Sequence, residues 1–173
     1  MEHYFKGKTV LVTGAGWGIG AATALLYAAY GAKVIVSDTS RKGSKNTLAK
    51  IKDQKGDATY IKADVSDQAE CMELIKRTIR TYGSLDIACN NSAVFSEPLY
   101  PADRNMESSD NQMGLNLAGL NNCMQYEIEA MQKQGGGIIV NTSSIVGAIG
   151  MTPSSQFIEA KYGILTLLQD IHG

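Results

Sequence analysis

The sequence predicts an α/β protein: a doubly wound parallel sheet of about five strands with helices on both faces. Three observations point there. Short β-branched apolar runs alternate with segments of helical character along the whole chain. The runs are apolar at successive positions, which marks strands buried on both faces. No linker-like stretch, repeat or low-complexity segment interrupts the alternation, so residues 1–173 read as a single domain.

The elements follow in order. Thr9–Thr13 (TVLVT) is the first strand, and after a run of glycines Ile19–Tyr30, rich in alanine and leucine, is the first helix. Lys33–Ser37 (KVIVS) is the second strand. Ser40–Lys55 is a polar helix with Leu48 and Ile51 on one face, and Thr59–Lys62 is a short third strand. Ser66 is the expected N-cap of a helix running to Tyr82, with Gly83 stopping it. Met72, Ile75 and Ile79 fall on one face of that helix. Leu85–Cys89 is the fourth strand, and one long helix is expected over Ser109–Gln132. Gly135, Gly136 and Gly137 break the chain before Ile138–Asn141, the fifth strand, and Ser154–Ile171 reads as the last helix. Right-handed crossovers between parallel strands make the sheet doubly wound.

Composition excludes several classes. The chain has 173 residues, 44% hydrophobic and 19% charged, with a net charge of -1. That suits a domain with a substantial core and leaves no basic footprint for nucleic acid or an anionic membrane. No apolar run approaches the ~20 residues that span a bilayer. Met1–Lys8 is polar and leads straight into a strand, so no signal peptide is expected and the protein is placed in the cytoplasm. Cys71, Cys89 and Cys123 are odd in number and separated in sequence, which suits reduced core thiols rather than disulfides or a metal site. His3 and His172 lie at opposite ends, with no triad or ligand set around either.

The chemistry begins where the first strand ends, in Thr13-Gly14-Ala15-Gly16-Trp17-Gly18-Ile19-Gly20. Glycines there let the backbone turn tightly and approach a pyrophosphate, while the next helix offers free N–H groups and its positive dipole end. Ile19 sits where the common G-x-G-x-x-G pattern needs its last glycine, so the motif is T-G-x-x-x-G-x-G instead. Asp38 ends the second strand, 18 residues beyond Gly20, where an acid meets the adenosine ribose hydroxyls. A carboxylate there repels the extra phosphate of NADP. Arg41 is close in sequence and reads as a solvated surface arginine.

With this motif the chain resembles the short-chain dehydrogenase/reductase family, whose sheet is of the Rossmann type, and the resemblance runs from the first strand through the helix after the fifth. It implies that Gly14, Trp17, Gly18, Ile19 and Gly20 line the cofactor. NADP-preferring members often carry a basic residue at the position of Trp17, so the resemblance implies NAD, with NADP the lesser choice. Asp64-Val65 matches the pair that flanks the adenine; Asp64 is equally a turn or helix-start residue. Asn90-Asn91-Ser92-Ala93 resembles the family's N-N-A-G, which stabilises the sheet and lines the cofactor through Asn91 and Ser92. Ala93 in place of glycine adds a methyl group where the backbone passes close to the ribose.

The resemblance also implies the reaction, hydride transfer between NAD and an alcohol or carbonyl carbon of a small molecule. The family uses a tyrosine to pass the proton and a lysine four residues later to lower the tyrosine's pKa and hold the nicotinamide ribose. A serine positions the substrate oxygen, and an asparagine holds a water for the proton relay. Asn116, in Gly114–Gly119, matches the asparagine, Ser144 in Val140–Ser144 matches the serine, and Lys161 in Ala160–Gly163 matches the lysine. Phe157 stands four residues before Lys161 and 13 after Ser144, so two spacings put a phenylalanine at the tyrosine's position. Tyr162 cannot substitute: at ~100° per residue it points about 140° away around the helix. Glu159 also faces elsewhere. The expected function is therefore an impaired NAD-dependent oxidoreductase. The alternatives are a non-catalytic NAD-binding module that senses cofactor or supports a partner subunit, and a structural domain without a ligand.

The chain stops at Gly173, leaving no room for the two further strands and the substrate-covering segment that the resemblance implies. The fifth strand is then an expected edge. Gly137–Val140 carries no proline or lysine to protect it, so either self-association into a homo-oligomer or a missing C-terminal segment is expected. The helices after the fourth and fifth strands, which commonly form the family's dimer face, are at least partly present.

Overall fold

The structure is a computed structural model and describes residues 4–93, 110, 113–149 and 155–169. Five strands form one sheet: β1 (Thr9–Thr13), β2 (Lys33–Ser37), β3 (Asp57–Ile61), β4 (Ile87–Asn90) and β5 (Ile138–Asn141). Every pairing is parallel, in the order β3-β2-β1-β4-β5. The helices are α1 (Gly18–Ala29), α2 (Arg41–Asp53), α3 (Gln68–Tyr82), α4 (Gly119–Gln134), α5 (Ile145–Ile149) and α6 (Ser155–Gln169). This is the doubly wound sheet that the alternating pattern predicts.

The two faces of the sheet explain the unbroken apolar runs. Val10, Val12, Val34 and Val36 point to one core together with Ala24 and Ala28 of α1 and Ile51 of α2. Leu11 and Ile35 point to the other, with Leu74 and Ile75 of α3 and Met131 of α4. Successive strand residues face opposite ways, so a strand covered on both sides must be apolar at every position. Each fully buried valine, leucine or isoleucine stabilises the fold by roughly 1.5–3 kcal/mol.

Four local expectations are corrected. The N-cap of α3 is Asp67, whose carboxylate accepts from Ala69 N and Glu70 N; Ser66 instead donates its N–H and hydroxyl to Asp64. Its Oγ is thus turned away from the helix, while a carboxylate at the next position also complements the helix dipole. β3 and β4 are each displaced from the expected spans, since sheet pairing rather than the apolar run sets their ends. The long helix is not α-helical throughout the described part. Gly114–Ala118 forms one π-helical turn before α4 begins, and Ser109 lies outside the described residues. α5 was not expected, because Ile-Val-Gly-Ala-Ile has little helical propensity.

β5 is an edge among the described residues, as expected. Ile138 is 60% and Val140 46% exposed on one of its faces. The chain continues from the last residues of all five strands into loops at one end of the sheet, and these loops build the site.

Candidate functional site

A cleft of about 520 Å³ opens at the C-terminal ends of the strands. Loops after each of the five contribute to it: Gly14 after β1, Asp38 after β2, Asp64 and Val65 after β3, Asn91 and Ser92 after β4, and Ser144 after β5. Trp17, Gly18, Ile19, Phe157 and Lys161 complete the wall. Ligands of open parallel sheets bind in this position, where strand order reverses between β1 and β4. Of the residues singled out in the sequence, Gly20 and Asn116 do not line the cleft.

Gly20 works from beneath. A Cβ on it would lie 2.2 Å from the Gly14 carbonyl oxygen and 2.7 Å from Asn91 Nδ2, so only glycine lets α1 come this close to the turn. Gly14 itself has φ +63°, and a Cβ there would meet Ser92 Cα at 2.9 Å. Thr13 ties the turn to the next loop, its Oγ1 accepting from Asn91 N at 3.1 Å and Ser92 N at 3.2 Å. The N-terminus of α1 has no capping side chain, whereas Ser40 caps α2 and Asp67 caps α3, and the first turn of α1 carries no acid. Its first N–H groups are therefore available to an anion.

Asp38 closes one end. It is nearly buried, and its two oxygens accept from Gly16 N at 3.0 Å and Ser40 N at 2.7 Å. Each oxygen keeps a further lone pair for a ligand hydroxyl. Trp17 is 73% exposed at the rim, and Arg41 is exposed at the start of α2. Asp64 Oδ1 accepts from Ser66 N and Oγ in a turn, and the residue also lines the cleft.

At the other end stand Ser144, Phe157 and Lys161. Lys161 is buried, and its Nζ donates to the Thr142 carbonyl at 3.0 Å while lying 5.5 Å from the Phe157 ring centre. Burial pushes the Lys161 ammonium below its usual range. Ser143 Oγ donates to the Lys161 carbonyl, pinning α6 to the loop after β5. Asn116 is buried in the π-helical turn, whose neighbour Leu115 reaches the cleft. Tyr162 is exposed and away from the cleft, as the helical angle requires.

Sequence reasoning gave no role to Thr13, Asn141 or Glu127, and read Asn90 only as part of a sheet-stabilising stretch; Asn90 and Glu127 are buried and Asn141 is half-buried. The signal for Glu127 was present. Leu120, Cys123, Met124 and Met131 mark the inward stripe of α4, and Glu127 falls on that stripe. The cysteines proved to be three buried thiols, two of which, Cys71 and Cys123, meet at 3.7 Å despite their sequence separation.

The sequence profile of the short chain dehydrogenase family matches residues 8–172. The chain belongs to that family. An uncharacterised oxidoreductase of Thermotoga maritima is 39% identical over 168 residues, covering 96% of this chain and 65% of that protein. The cyclohexanol dehydrogenase of Acinetobacter sp. (strain SE19) is 34% identical over 167 residues, covering 96% of this chain and 66% of the relative. Among solved structures, NAD⁺-bound xylitol dehydrogenase superposes with a TM-score of 0.94 at 26% identity, covering 96% of this chain and 64% of that one. The chain thus spans just under two thirds of the length of these family members. Among the described residues, no helix is long and apolar enough to cross a membrane.

Proposed function

We propose that this chain is the cofactor-binding part of a short-chain oxidoreductase that holds NAD and handles a small alcohol or ketone. One observation carries the reading: a single cleft joins the Asp38 carboxylate, the uncapped N-terminus of α1 and the Ser144–Lys161 pair. Those groups suit, in order, ribose hydroxyls, a pyrophosphate and a nicotinamide ribose next to a substrate oxygen. Asp38 favours NAD because a ribose phosphate would face its charge at a nearly buried position. The cofactor, when bound, supplies the carbon that takes or gives the hydride.

The residues then divide the remaining work. Gly14 and Gly20 let the turn and the N-terminus of α1 close up beneath the phosphates, and Asp64 and Val65 flank the adenine. The Ser144 O–H donates a hydrogen bond to the substrate oxygen, Lys161 holds ribose hydroxyls, and Asn116 supports the water relay. Phe157 fills the tyrosine's place with a ring that has no proton to exchange. A missing acid/base typically costs about 10²–10⁴-fold in rate. The same ring supports a second reading, in which the chain binds NAD without turning over substrate.

The buried, free thiols support a reducing cytoplasmic setting. The exposed Ile138 and Val140 support self-association of residues 1–173 as one domain. Calorimetric titration with NAD and NADP, followed by assays with NAD and cyclohexanol as a probe alcohol, tests the reading. Absence of dinucleotide binding refutes it.

A further inference from the structure

Glu127 of α4 lies under the cleft, fully buried, on no path that the proposed chemistry uses. It faces the last rung of the β4–β5 pair. Asn90 and Asn141 are in register there, and Asn90 Nδ2 donates both to Glu127 Oε2 at 2.9 Å and to Asn141 Oδ1 at 3.0 Å. Asn141 Nδ2 in turn donates to Met124 Sδ, on the same helix as Glu127. The chain beyond Asn90 carries Asn91 and Ser92 into the cleft wall, and the chain beyond Asn141 carries Ser144. The trio therefore ties the cofactor loop to the serine loop.

Two oxygens in this trio lack a donor: Glu127 Oε1 and Asn90 Oδ1. They belong to the same pair of groups, and their sister atoms already bond to each other. A carboxylate and a primary amide oxygen are both acceptors, so neither can satisfy the other. A carboxylic acid can. Its O–H would donate to the amide oxygen while its carbonyl oxygen accepts from the amide N–H, giving two parallel bonds and leaving the second N–H for Asn141.

We propose that Glu127 is a positioning residue that works as a neutral acid, locked to the Asn90 amide by two hydrogen bonds that set the spacing of the cofactor and serine loops. Its surroundings agree. Burial pushes the carboxyl up to about 7, against the hydrogen bond from Asn90, which pulls it down. The titratable groups that sense its charge are thiols, Cys123 on its own helix and Cys89 on β4, and no cation contributes to its shift. Lys161, buried beyond β5, is shifted by burial alone.

The consequence for binding rests on the dinucleotide reading above. Ionisation of Glu127 removes one of the two bonds and loosens the clamp, so cofactor affinity falls as pH rises through neutrality. The test measures NAD affinity by calorimetry from about pH 6 to about pH 8.5 on the wild-type chain, Glu127→Gln and Glu127→Leu. Glutamine presents the same acceptor and a permanent donor, and is expected to abolish the pH dependence that Glu127 causes. The wild type is expected to lose at least about fivefold more affinity over this range than Glu127→Gln. Leucine, which makes neither bond, is expected to bind weakly at both ends. Comparing variants also removes any contribution from Lys161.

Parallel pH profiles for wild type and Glu127→Gln would overturn the proposal, as would glutamine behaving like leucine. A ligand-free measurement separates its failure from that of the function. Infrared difference spectra of wild type against Glu127→Gln should show a neutral carboxylic acid carbonyl band at about pH 6 that fades at higher pH. Failure to bind any dinucleotide, with that band present, refutes the proposed function and keeps the acid–amide pair. No acid band, as for an ionised Glu127 bridged by water, refutes the pair.

Discussion

Replacing Gly20 by alanine sets two effects of opposite sign against each other. Gly20 is within α1, and helix propensity alone makes alanine more favourable than glycine by about 1 kcal/mol. The site geometry opposes this. The new Cβ would lie 2.2 Å from the Gly14 carbonyl oxygen and 2.8 Å from its carbon, well inside the ordinary contact range of 3.4–4 Å. Gly14 cannot retreat freely, because its own backbone is packed against Ser92. Overpacking costs typically about 1–3 kcal/mol, and a backbone obstacle held from behind belongs at the upper end. The net expectation is a destabilisation of about 2 kcal/mol. Urea unfolding measures it as a lower midpoint at unchanged slope. Gly114→Ala is the control, since a Cβ there meets nothing within 4 Å. It should leave stability unchanged or raise it by up to about 1 kcal/mol. If Gly20→Ala lies within about 0.5 kcal/mol of wild type, or is more stable, the close approach of α1 to the turn is wrong.

Four further outcomes are expected. The Glu127 carboxyl moves from an ordinary 4.5 to about 7 in the fold, so the folded state holds its proton where the unfolded chain releases it. The stability this contributes is fully present below 4.5 and is lost as pH rises through about 7, so the unfolding free energy relative to Glu127→Gln should fall by about 3 kcal/mol over that window, read from denaturant curves at several pH values. Asp38→Ala removes the acceptor of Gly16 N and Ser40 N as well as the fixed charge. It should weaken NAD more than NADP, and an unchanged ratio in paired titrations would contradict the assigned role. Phe157→Tyr should raise turnover of NAD with a probe alcohol by about 10²-fold or more, and ordinary family turnover by the parent chain would show that another group carries the proton. Ile138→Lys places a charge on the exposed edge of β5, and sedimentation should show less self-association than in the parent.

The sequence by itself determined the parallel α/β class, because strands covered on both faces must be apolar at every position. Val10, Leu11 and Val12 show this directly, since they alternate between two cores yet share one character. It also determined most of the cleft, since in such a sheet the residues that follow strands collect at one end. Gly14, Asp38, Asn91 and Ser144 are legible because each immediately follows, or nearly follows, a strand. Local competition was less legible. Ser66 and Asp67 are both good caps, and only the bond from Ser66 to Asp64 decides between them. The π-helical turn at Asn116 is likewise invisible to periodicity, because five residues of altered hydrogen bonding barely move the apolar pattern. What only the tertiary structure decided are the contacts between elements distant in sequence. Thr13 holds the loop of Asn91 and Ser92 across 78 and 79 positions, and Glu127 meets Asn90 across 37. A side chain's spacing along its own helix says that it points inward. Which atoms it finds there, and whether they complete its hydrogen bonds, depends on the register of β4 against β5 and on where α4 packs across them.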